Sequence, residues 1–179
     1  MSLPFNIFLV GPMGAGKSTI GKRLAQLLNT DFVDSDREIE SHTGANIPLI
    51  FELEGEAGFR QRESDILDKL TAQHHQVLAT GGGSVLLPQN QKMLQQRGKV
   101  VYLYTTVKQQ LQRTRRDQNR PLLQTDNPEE KLQQLFAERD PIYRQLADIT
   151  IDTDGRSIHS VSHEIIKRLQ LKPVKKSIN

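Results

Sequence analysis

The chain has 179 residues and a mass of 20.3 kDa, the length of one domain rather than two. With 36% hydrophobic and 25% charged residues, it belongs with the globular proteins and not with the disordered or collagen-like classes. It contains no cysteine, which excludes disulfide scaffolds, thiolate metal sites, iron–sulfur clusters and thiol nucleophiles. The net charge of +3 leaves nucleic acid, a membrane surface or a small anion open as partners.

The first ten residues carry no Lys or Arg before a short apolar run, which stops at Gly11 and Pro12. A secretory signal is therefore not expected. No apolar stretch approaches the roughly 18 residues of a membrane span. We expect a cytoplasmic protein with no membrane partner.

Short apolar runs alternate with longer amphipathic stretches along the chain, a pattern that predicts an α/β fold with a parallel sheet. In the first amphipathic stretch Ile20, Leu24 and Leu28 share one face, which should pack on the sheet. The predicted strands cover residues 5–10, 32–34, 77–80, 99–104 and 148–151. The predicted helices cover residues 17–28, 56–71, 89–96, 107–115, 129–139 and 157–169.

Two segments interrupt this alternation. Residues 117–127 have almost no periodic apolar signal and contain Pro121, which predicts a long mobile loop between two helices. We expect a lid over about residues 112–127, because long loops in small domains are often lids. Residues 172–179, with Pro173 and three lysines, are expected to form a flexible tail, which leaves residues 1–171 as a single domain.

Residues 11–18, Gly-Pro-Met-Gly-Ala-Gly-Lys-Ser, match the whole phosphate-binding loop (P-loop) pattern G-x-x-x-x-G-K-S/T. A predicted strand precedes the loop and an amphipathic helix follows it. The small residues Gly14, Ala15 and Gly16 let backbone N–H groups curl around phosphate oxygens at the positive end of that helix. The alternative is a glycine-rich turn that binds nothing, which the lysine and the two flanking elements make improbable.

The three residues that follow these glycines have separate expected roles. Lys17 should reach the β and γ phosphates, Ser18 should ligate Mg²⁺ and Thr19 should donate to the α phosphate. The loop thus predicts nucleoside triphosphate binding. It does not separate a kinase from a GTPase, a helicase or a regulatory ATP-binding module.

Two carboxylates, Asp34 and Asp36, come at the end of the second predicted strand and should face the carboxyl edge of the sheet. Asp34 is placed to hold a water of the Mg²⁺ ion, and Asp36 to accept a hydroxyl proton. The alternative is that Ser35 or Asp36 caps a helix beginning near Arg37. The residues alone leave both interpretations open.

Three glycines, Gly81, Gly82 and Gly83, follow the third predicted strand. They permit close backbone approach to a ligand and supply unobstructed N–H donors. A flexible turn is the alternative interpretation.

Arginines complete the candidate site. Arg60 begins a helix, and Arg139 precedes Asp140 and Pro141, where its helix should end or kink. Each alone could be a surface ion-pair partner, but two guanidinium groups on one carboxylate would form a site for a small acid. Arg120 lies in the predicted lid, from which an arginine can reach a transferring phosphoryl group.

Charge is unevenly distributed along the chain. Residues 31–68 hold eleven acidic residues and three arginines, whereas residues 108–120 hold five basic residues and one acidic residue. The basic excess lies where the lid should meet a nucleotide. Arg113, within this segment, is expected to belong to a solvated basic helix face.

Six segments in order, GPMGAGKSTIG, DSD, GFR, TGGGSV, RPLL and RDPIY, closely resemble bacterial shikimate kinase over about residues 5–169. The resemblance implies a nucleoside-monophosphate-kinase-like P-loop fold, with a five-stranded parallel sheet in the order 2-3-1-4-5 and a lid. It also implies ATP-dependent phosphorylation of the 3-hydroxyl of shikimate to shikimate 3-phosphate, in the chorismate pathway of aromatic amino-acid biosynthesis.

The resemblance further assigns residues. It implies that Asp36, Arg60, Gly82 and Arg139 hold shikimate, with both arginines on its carboxylate. From the glycine run itself we expect Gly81 and Gly83 to bind the substrate as well. The resemblance also implies that Ser18 ligates Mg²⁺, that Arg120 contacts ATP and that Arg156 lies beside the adenine. Phosphoryl transfer needs alignment and charge neutralisation, so we expect Lys17, Asp36 and Arg120 to be catalytic, with one Mg²⁺ per subunit. We expect a monomer.

Two alternatives remain open. Another small-molecule kinase, such as a gluconate or nucleotide kinase, would share the P-loop, but the paired arginines favour a carboxylated acceptor and the adenylate-kinase pattern GxPGxGKGT is absent. A nucleic-acid-binding ATPase would account for the pI of about 9.2. Aromatic residues make up only 5% of the chain, however, and none is tryptophan, so we expect shikimate and ATP as partners and no nucleic acid.

Overall fold

Five parallel strands form one sheet in the order β2-β3-β1-β4-β5, which confirms the predicted fold and strand order. The computed structural model of the chain describes residues 3–115, 117 and 120–174. The strands are β1 (Asn6–Val10), β2 (Asp31–Asp34), β3 (Gln76–Ala79), β4 (Gly98–Tyr104) and β5 (Ile149–Asp152). Each observed strand overlaps its predicted range.

Helices cover both faces of the sheet. In the described residues they are α1 (Lys17–Leu28), α2 (Ser35–Thr43), α3 (Ile47–Thr71), α4 (Pro88–Arg97), α5 (Val107–Thr114), α6 (Pro128–Leu146) and α7 (Ile158–Arg168), with a short 3-10 helix at Pro121–Leu123. The bounds of α1 agree with the prediction, and Ile20, Leu24 and Leu28 are buried on its sheet-facing side as expected. No helix in these ranges is long and apolar enough to cross a membrane.

The hydrophobic core has one layer on each face of the sheet. On one face, Leu24 of α1 and Ile165 of α7 pack with β-strand residues such as Leu9. On the other face, Leu67 of α3 and Tyr143 of α6 belong to a second buried cluster. Burying a large apolar side chain contributes about 1.5–3 kcal/mol, so these layers hold the sheet as a rigid platform.

Parallel pairing determines which loops meet. Ile7 of β1 pairs with Val77 of β3 and with Lys99 of β4, so β1 is central. Because all the strands run in the same direction, the segments after β1, β2 and β3 leave the sheet at one edge. The P-loop, the Asp34–Asp36 segment and the three glycines thereby become neighbours.

Helix α3 begins at Ile47, nine residues before the predicted start at residue 56. Its backbone leaves the helical region at Gly55, where φ is 69° and ψ is −178°. Glycine tolerates this left-handed φ without a Cβ clash. The periodic pattern therefore identified only the second half of α3, after the break.

Helix α6 continues to Leu146, so the predicted end at residue 139 is wrong. Pro141 lies inside the helix and cannot donate a backbone hydrogen bond, a loss of about 3 kcal/mol in a helix interior. Tyr143 and Leu146 are buried beyond it, and their packing offsets that loss. The continuation carries Tyr143 to a position one turn beyond Arg139.

The predicted lid and tail fall partly outside the described residues. Within the predicted lid, residues 116, 118 and 119 lie outside them, and so do residues 175–179 of the predicted tail. The described part of the lid includes the end of α5 and the 3-10 helix, whose Leu122 and Leu123 pack against a small cluster of Met13, Leu132 and Leu135. The domain and lid boundaries stay predictions.

Candidate active site

The P-loop leads directly into the first turn of α1. Gly14 and Gly16 have φ values of 79° and 89°, a left-handed conformation that glycine adopts without strain. Gly16 is the N-cap of α1 and offers no side chain to the first-turn amides. Ala15 is buried, and its N–H donates within the loop to the Pro12 carbonyl at 3.3 Å. The start of α1 thus presents uncapped N–H groups, the arrangement that binds anions.

Lys17 bends back over this loop. Its Nζ donates to the carbonyl oxygens of Gly11 at 2.7 Å and of Pro12 at 2.9 Å. Burial and the nearby Arg120 lower the pKa of Lys17 to about 8, although Asp36 attracts the charged form. The ammonium group is therefore poorly solvated, and an anion placed beside it would be strongly attracted.

Ser18 and Asp34 bring oxygen atoms together on the other side of the loop. Ser18 Oγ donates to Asp34 Oδ2 at 2.5 Å. Asp34 Oδ1 also accepts from the backbone N–H groups of Asp36 and Arg37, so Asp34 is the N-cap of α2. The predicted capping role thus falls to Asp34 and not to Ser35 or Asp36, and α2 begins at Ser35.

A hydroxyl and a carboxylate are the hard oxygen ligands that suit Mg²⁺, which usually keeps several waters and binds substrate phosphates. In the described part of the chain, no three metal-ligating His, Asp or Glu side chains are grouped. The donor set of Ser18 and Asp34 therefore fits a magnesium ion held jointly with phosphates and water, and not one held in an all-protein cage.

Two cavities adjoin at the carboxyl edge of the sheet. The P-loop cavity has an empty volume of about 770 Å³ and includes Gly14, Gly16, Lys17, Ser18, Thr19 and Asp34 in its lining. The arginine cavity has an empty volume of about 510 Å³ and includes Arg60, Glu63, Gly81, Gly82, Gly83 and Arg139 in its lining. Both are lined by Met13, Asp36, Gly82 and Arg120, so these four residues form their junction.

Asp36 is the carboxylate at this junction. Burial, the neighbouring Glu63 and Asp34 raise the pKa of Asp36 to about 6. A carboxylate with such a pKa is ionised at neutral pH and is a better proton acceptor than an exposed aspartate. It can hydrogen-bond a hydroxyl group lying between the two cavities.

Arg139 is buried in the arginine cavity, with 5% of its surface exposed. Among the described residues it forms no ion pair, and its Nε has no hydrogen-bond partner. A buried cation is costly without a counter-charge. This site therefore favours an anionic ligand.

Arg60 differs from Arg139 because it has acidic partners. Its guanidinium donates to Glu63 at 2.8 Å and to Glu56 at 3.1 Å. Glu63 has only 1% of its surface exposed and also accepts from Ser84 Oγ at 2.7 Å. Sequence reasoning missed Glu63, although its i,i+3 spacing from Arg60 on one helix was a usable signal.

The glycine run permits this close packing. A Cβ atom on Gly83 would lie 2.3 Å from both terminal nitrogens of Arg60. One on Gly81 would lie 2.6 Å from Glu63 Oε1 and 2.8 Å from Asp36 Oδ1. The space at Gly81 and Gly83 is thus required by Arg60, Glu63 and Asp36.

Arg120 and Arg113 approach the P-loop cavity from the basic segment. Arg120 Nε donates to Asp117 at 2.9 Å, and its side chain is 36% exposed. Arg113 Nη1 donates to the carbonyl of Gly14 at 2.8 Å and lines the cavity, although it was expected on a solvated face. Nothing in the sequence separates Arg113 from the neighbouring Arg115, because only the packing of α5 on the P-loop selects it.

Arg156 is not brought into either cavity. It follows β5, forms an ion pair with Glu164 at 2.6 Å and donates to Ser160 Oγ at 2.9 Å. All the other predicted site residues except Ala15 line one or both cavities. The adenine-side role of Arg156 stays a prediction.

Comparisons with known proteins agree with this geometry. The chain is 58% identical over 170 residues to the shikimate kinase of Halorhodospira halophila, covering 95% of this chain and 96% of that one. The solved structure of shikimate kinase from Acinetobacter baumannii in complex with shikimate superposes with a TM-score of 0.92 at 55% identity, covering 93% of both chains.

A gluconokinase from Sinorhizobium meliloti shares only the fold, with a TM-score of 0.57 at 13% identity, over 95% of this chain and 94% of that one. The sequence model of one family, described as shikimate kinase, matches residues 13–170. With this match over most of the chain and relatives above 50% identity, the chain belongs to the shikimate kinase family.

Proposed function

We propose that the chain transfers the γ-phosphoryl group of ATP to the 3-hydroxyl of shikimate, giving ADP and shikimate 3-phosphate for aromatic amino-acid biosynthesis. The observation that carries this proposal is the junction of the two cavities at Asp36 and Arg120. A nucleotide in one cavity and an acceptor in the other would meet there. Membership of the shikimate kinase family supports the same pair of substrates.

On the nucleotide side, the N–H groups at Gly14 and Gly16 surround the phosphates, joined by that of Ala15 once it releases the Pro12 carbonyl. Lys17 lies on the β and γ phosphates and Thr19 on the α phosphate. Lys17 would then exchange its contacts with the loop carbonyls for phosphate oxygens. Ser18 would hold one Mg²⁺ ion directly and Asp34 would hold it through a water. When bound there, the ion would neutralise part of the phosphate charge.

On the acceptor side, the carboxylate of shikimate lies between Arg60 and Arg139. Arg139 supplies a buried positive charge that lacks an acidic partner in the described structure, and Arg60 supplies a fork oriented by Glu63. Two guanidinium groups recognise the planar carboxylate by direction as well as by charge. Gluconate is acyclic and has no ring hydroxyl, and nucleoside monophosphates have no carboxylate. Neither acceptor therefore combines the two groups that shikimate offers.

Asp36 orients the shikimate hydroxyl towards the γ-phosphoryl group. Its raised pKa of about 6 leaves it ionised at neutral pH and able to accept the hydroxyl proton. A loose phosphoryl-transfer transition state needs little help from a base, so orientation is its larger contribution. Lys17 and Arg120 then stabilise the negative charge on the transferring group.

We propose that the enzyme is a monomer, since the residues of the proposed chemistry all lie on one chain and the site needs no second copy to complete it. We also propose the cytoplasm as its location, since the reaction consumes ATP. The segment of about residues 112–127, which includes Arg120, acts as the lid that excludes water during transfer.

A coupled assay of ADP release tests the proposal. Purified protein with Mg²⁺ and ATP should turn over with shikimate and not with gluconate or AMP, and NMR should locate the phosphate on the 3-hydroxyl. Lys17→Ala, prepared in the same way, controls for contaminating kinases and should lose activity by orders of magnitude. Turnover with gluconate or AMP in place of shikimate would refute the substrate assignment.

A further inference from the structure

Tyr143 is a buried tyrosine behind the arginine cavity that contacts the lining residue Gly82 without lining the cavity itself. It lies one helical turn beyond Arg139 on α6 and has 1% of its surface exposed. Its hydroxyl donates a hydrogen bond to the carbonyl oxygen of Gly82. The Arg139 side chain, one turn earlier on the same helix, lies close enough for its positive charge to act on this hydroxyl.

The direction of the hydrogen bond to Gly82 is fixed by chemistry. A carbonyl only accepts, so the Tyr143 hydroxyl is the donor, and its oxygen stays free to face the positive charge of Arg139. Burial raises the pKa of Tyr143 above its ordinary range, so the hydroxyl stays protonated and keeps this donor role.

The contact with Gly82 also orients an amide. The peptide bond between Gly82 and Gly83 is trans, so the Gly83 N–H points away from the carbonyl that Tyr143 holds. Within the described residues, the N–H groups of Gly82 and Gly83 have no protein acceptor. Tyr143 thus sets the plane of a peptide whose donor is left for a ligand.

The tyrosine ring is itself held by the sheet. It packs on Tyr102 of β4, with ring centroids 5.0 Å apart and the planes inclined by 30°. Tyr102 is fully buried, and its own hydroxyl donates to Asp140 at 2.6 Å, away from the glycine run. The position of the Tyr143 hydroxyl is therefore set by the packing of its ring on the sheet.

We propose that Tyr143 is a positioning residue for the acceptor, whose hydroxyl holds the Gly82–Gly83 peptide in place beside the Arg139 guanidinium. The carboxylate-binding arginine and the glycine run then bind the acceptor as one preorganised unit. This inference rests on the proposed function, because it assigns the residue to the shikimate side of the site. It separates Tyr143 from a purely structural core tyrosine such as Tyr102.

Two matched variants test it. Tyr143→Phe and Tyr102→Phe each remove one hydroxyl from the same pair of stacked rings. We expect Tyr143→Phe to raise the KM for shikimate about tenfold, because the Gly82 carbonyl loses its buried donor and the peptide is no longer held, and to leave the KM for ATP within about twofold. Tyr102→Phe should leave both KM values within that range, although it also loses a buried hydrogen bond.

A double-mutant cycle separates positioning from general destabilisation. In an Arg139→Ala background, Tyr143→Phe should raise the KM for shikimate by less than about threefold, since the preorganised unit of arginine and glycine run is already broken. An equal effect in both backgrounds, or equal KM values for Tyr143→Phe and Tyr102→Phe, would overturn the role of Tyr143. A wild-type protein without activity on shikimate would overturn the proposed function and this inference with it, and only that result would do both.

Discussion

Ser18 Oγ donates to Asp34 Oδ2 at 2.5 Å, so the residue after the P-loop lysine is tied to the residue that caps α2. Asp34 also accepts from the backbone N–H of Asp36, the carboxylate at the junction of the two cavities. One carboxylate therefore links the expected magnesium ligand to the residue that orients the acceptor. Substituting Asp34 should change both the Mg²⁺ dependence of activity and the stability of α2, and different substitutions should separate these two effects.

Asp34→Asn retains a side-chain acceptor at the N-cap and removes the negative charge. We expect the Mg²⁺ concentration for half-maximal activity to rise about tenfold, as for loss of a charged hydrogen-bonding group, while the melting temperature changes little. Asp34→Ala should show the same shift and also lose about 1 kcal/mol of unfolding free energy, because the cap is gone. An unchanged Mg²⁺ dependence in Asp34→Asn would remove Asp34 from the metal site.

The buried charge of Arg139 should lower the free energy of unfolding of the protein when no ligand is bound. Replacing a buried ion with an apolar side chain of similar length is often stabilising, so we expect Arg139→Met to raise the unfolding free energy by about 1 kcal/mol. The same variant should raise the KM for shikimate by about a hundredfold or more, because the buried counter-charge to its carboxylate is lost. Urea unfolding and steady-state kinetics measure the two effects.

Arg60→Met is the matched control for the gain in stability and loss of shikimate binding expected of Arg139→Met. It should lower the unfolding free energy, since the buried Glu63 would lose its partner. Its KM for shikimate should also rise. Equal destabilisation by the two substitutions would show that Arg139 has an acidic partner in the free protein.

The elements that the sequence predicted well are those determined by local pattern. The P-loop, the helix α1 that follows it and the central strand each have a signal within a dozen residues. The sequence did not predict the early part of α3, because Gly55 breaks its periodicity. It did not predict the end of α6, because Pro141 interrupts the pattern before the apolar positions beyond it.

The site residues that were missed depend on tertiary contacts. Arg113 joins the site only because α5 packs on the P-loop, and Tyr143 only because α6 continues past its proline. The paired arginines could be proposed from their segments, but the absence of an acidic partner for Arg139 in the described structure is visible only in three dimensions.

The pH dependence of kcat/KM should have two limbs. Activity should fall below a pH of about 6 as Asp36 becomes protonated, and above about 8 as Lys17 loses its charge, since these are their pKa values in the free enzyme. Asp36→Asn should remove the acid limb, and Lys17→Arg should remove the alkaline limb. Limbs that survive these substitutions would belong to other groups.

The free energy of unfolding should also depend on pH through Asp36 and Lys17. The two groups should act in opposite directions, because the pKa of Asp36 is raised and that of Lys17 is lowered. The pKa of Asp36 is raised from 3.8 to about 6, so the folded state binds more protons in that window and stability falls as the pH rises through it. The pKa of Lys17 is lowered from 10.5 to about 8, so the unfolded state binds more protons and stability rises with pH between these values. Urea unfolding of Asp36→Asn should not show the fall in stability as the pH rises from 3.8 to about 6.

The lid should tighten when substrates bind. Leu122 and Leu123 already pack against the cluster of Met13, Leu132 and Leu135, which places Arg120 at the junction of the cavities. We expect amide exchange over residues 120–127 to slow when a nucleotide and shikimate are added together. Arg120→Ala should lower kcat by about a hundredfold or more and change the KM for shikimate little, because its charge acts on the transferring group. Identical exchange with and without substrates would argue against a lid, whereas a normal kcat for Arg120→Ala would remove the arginine from catalysis.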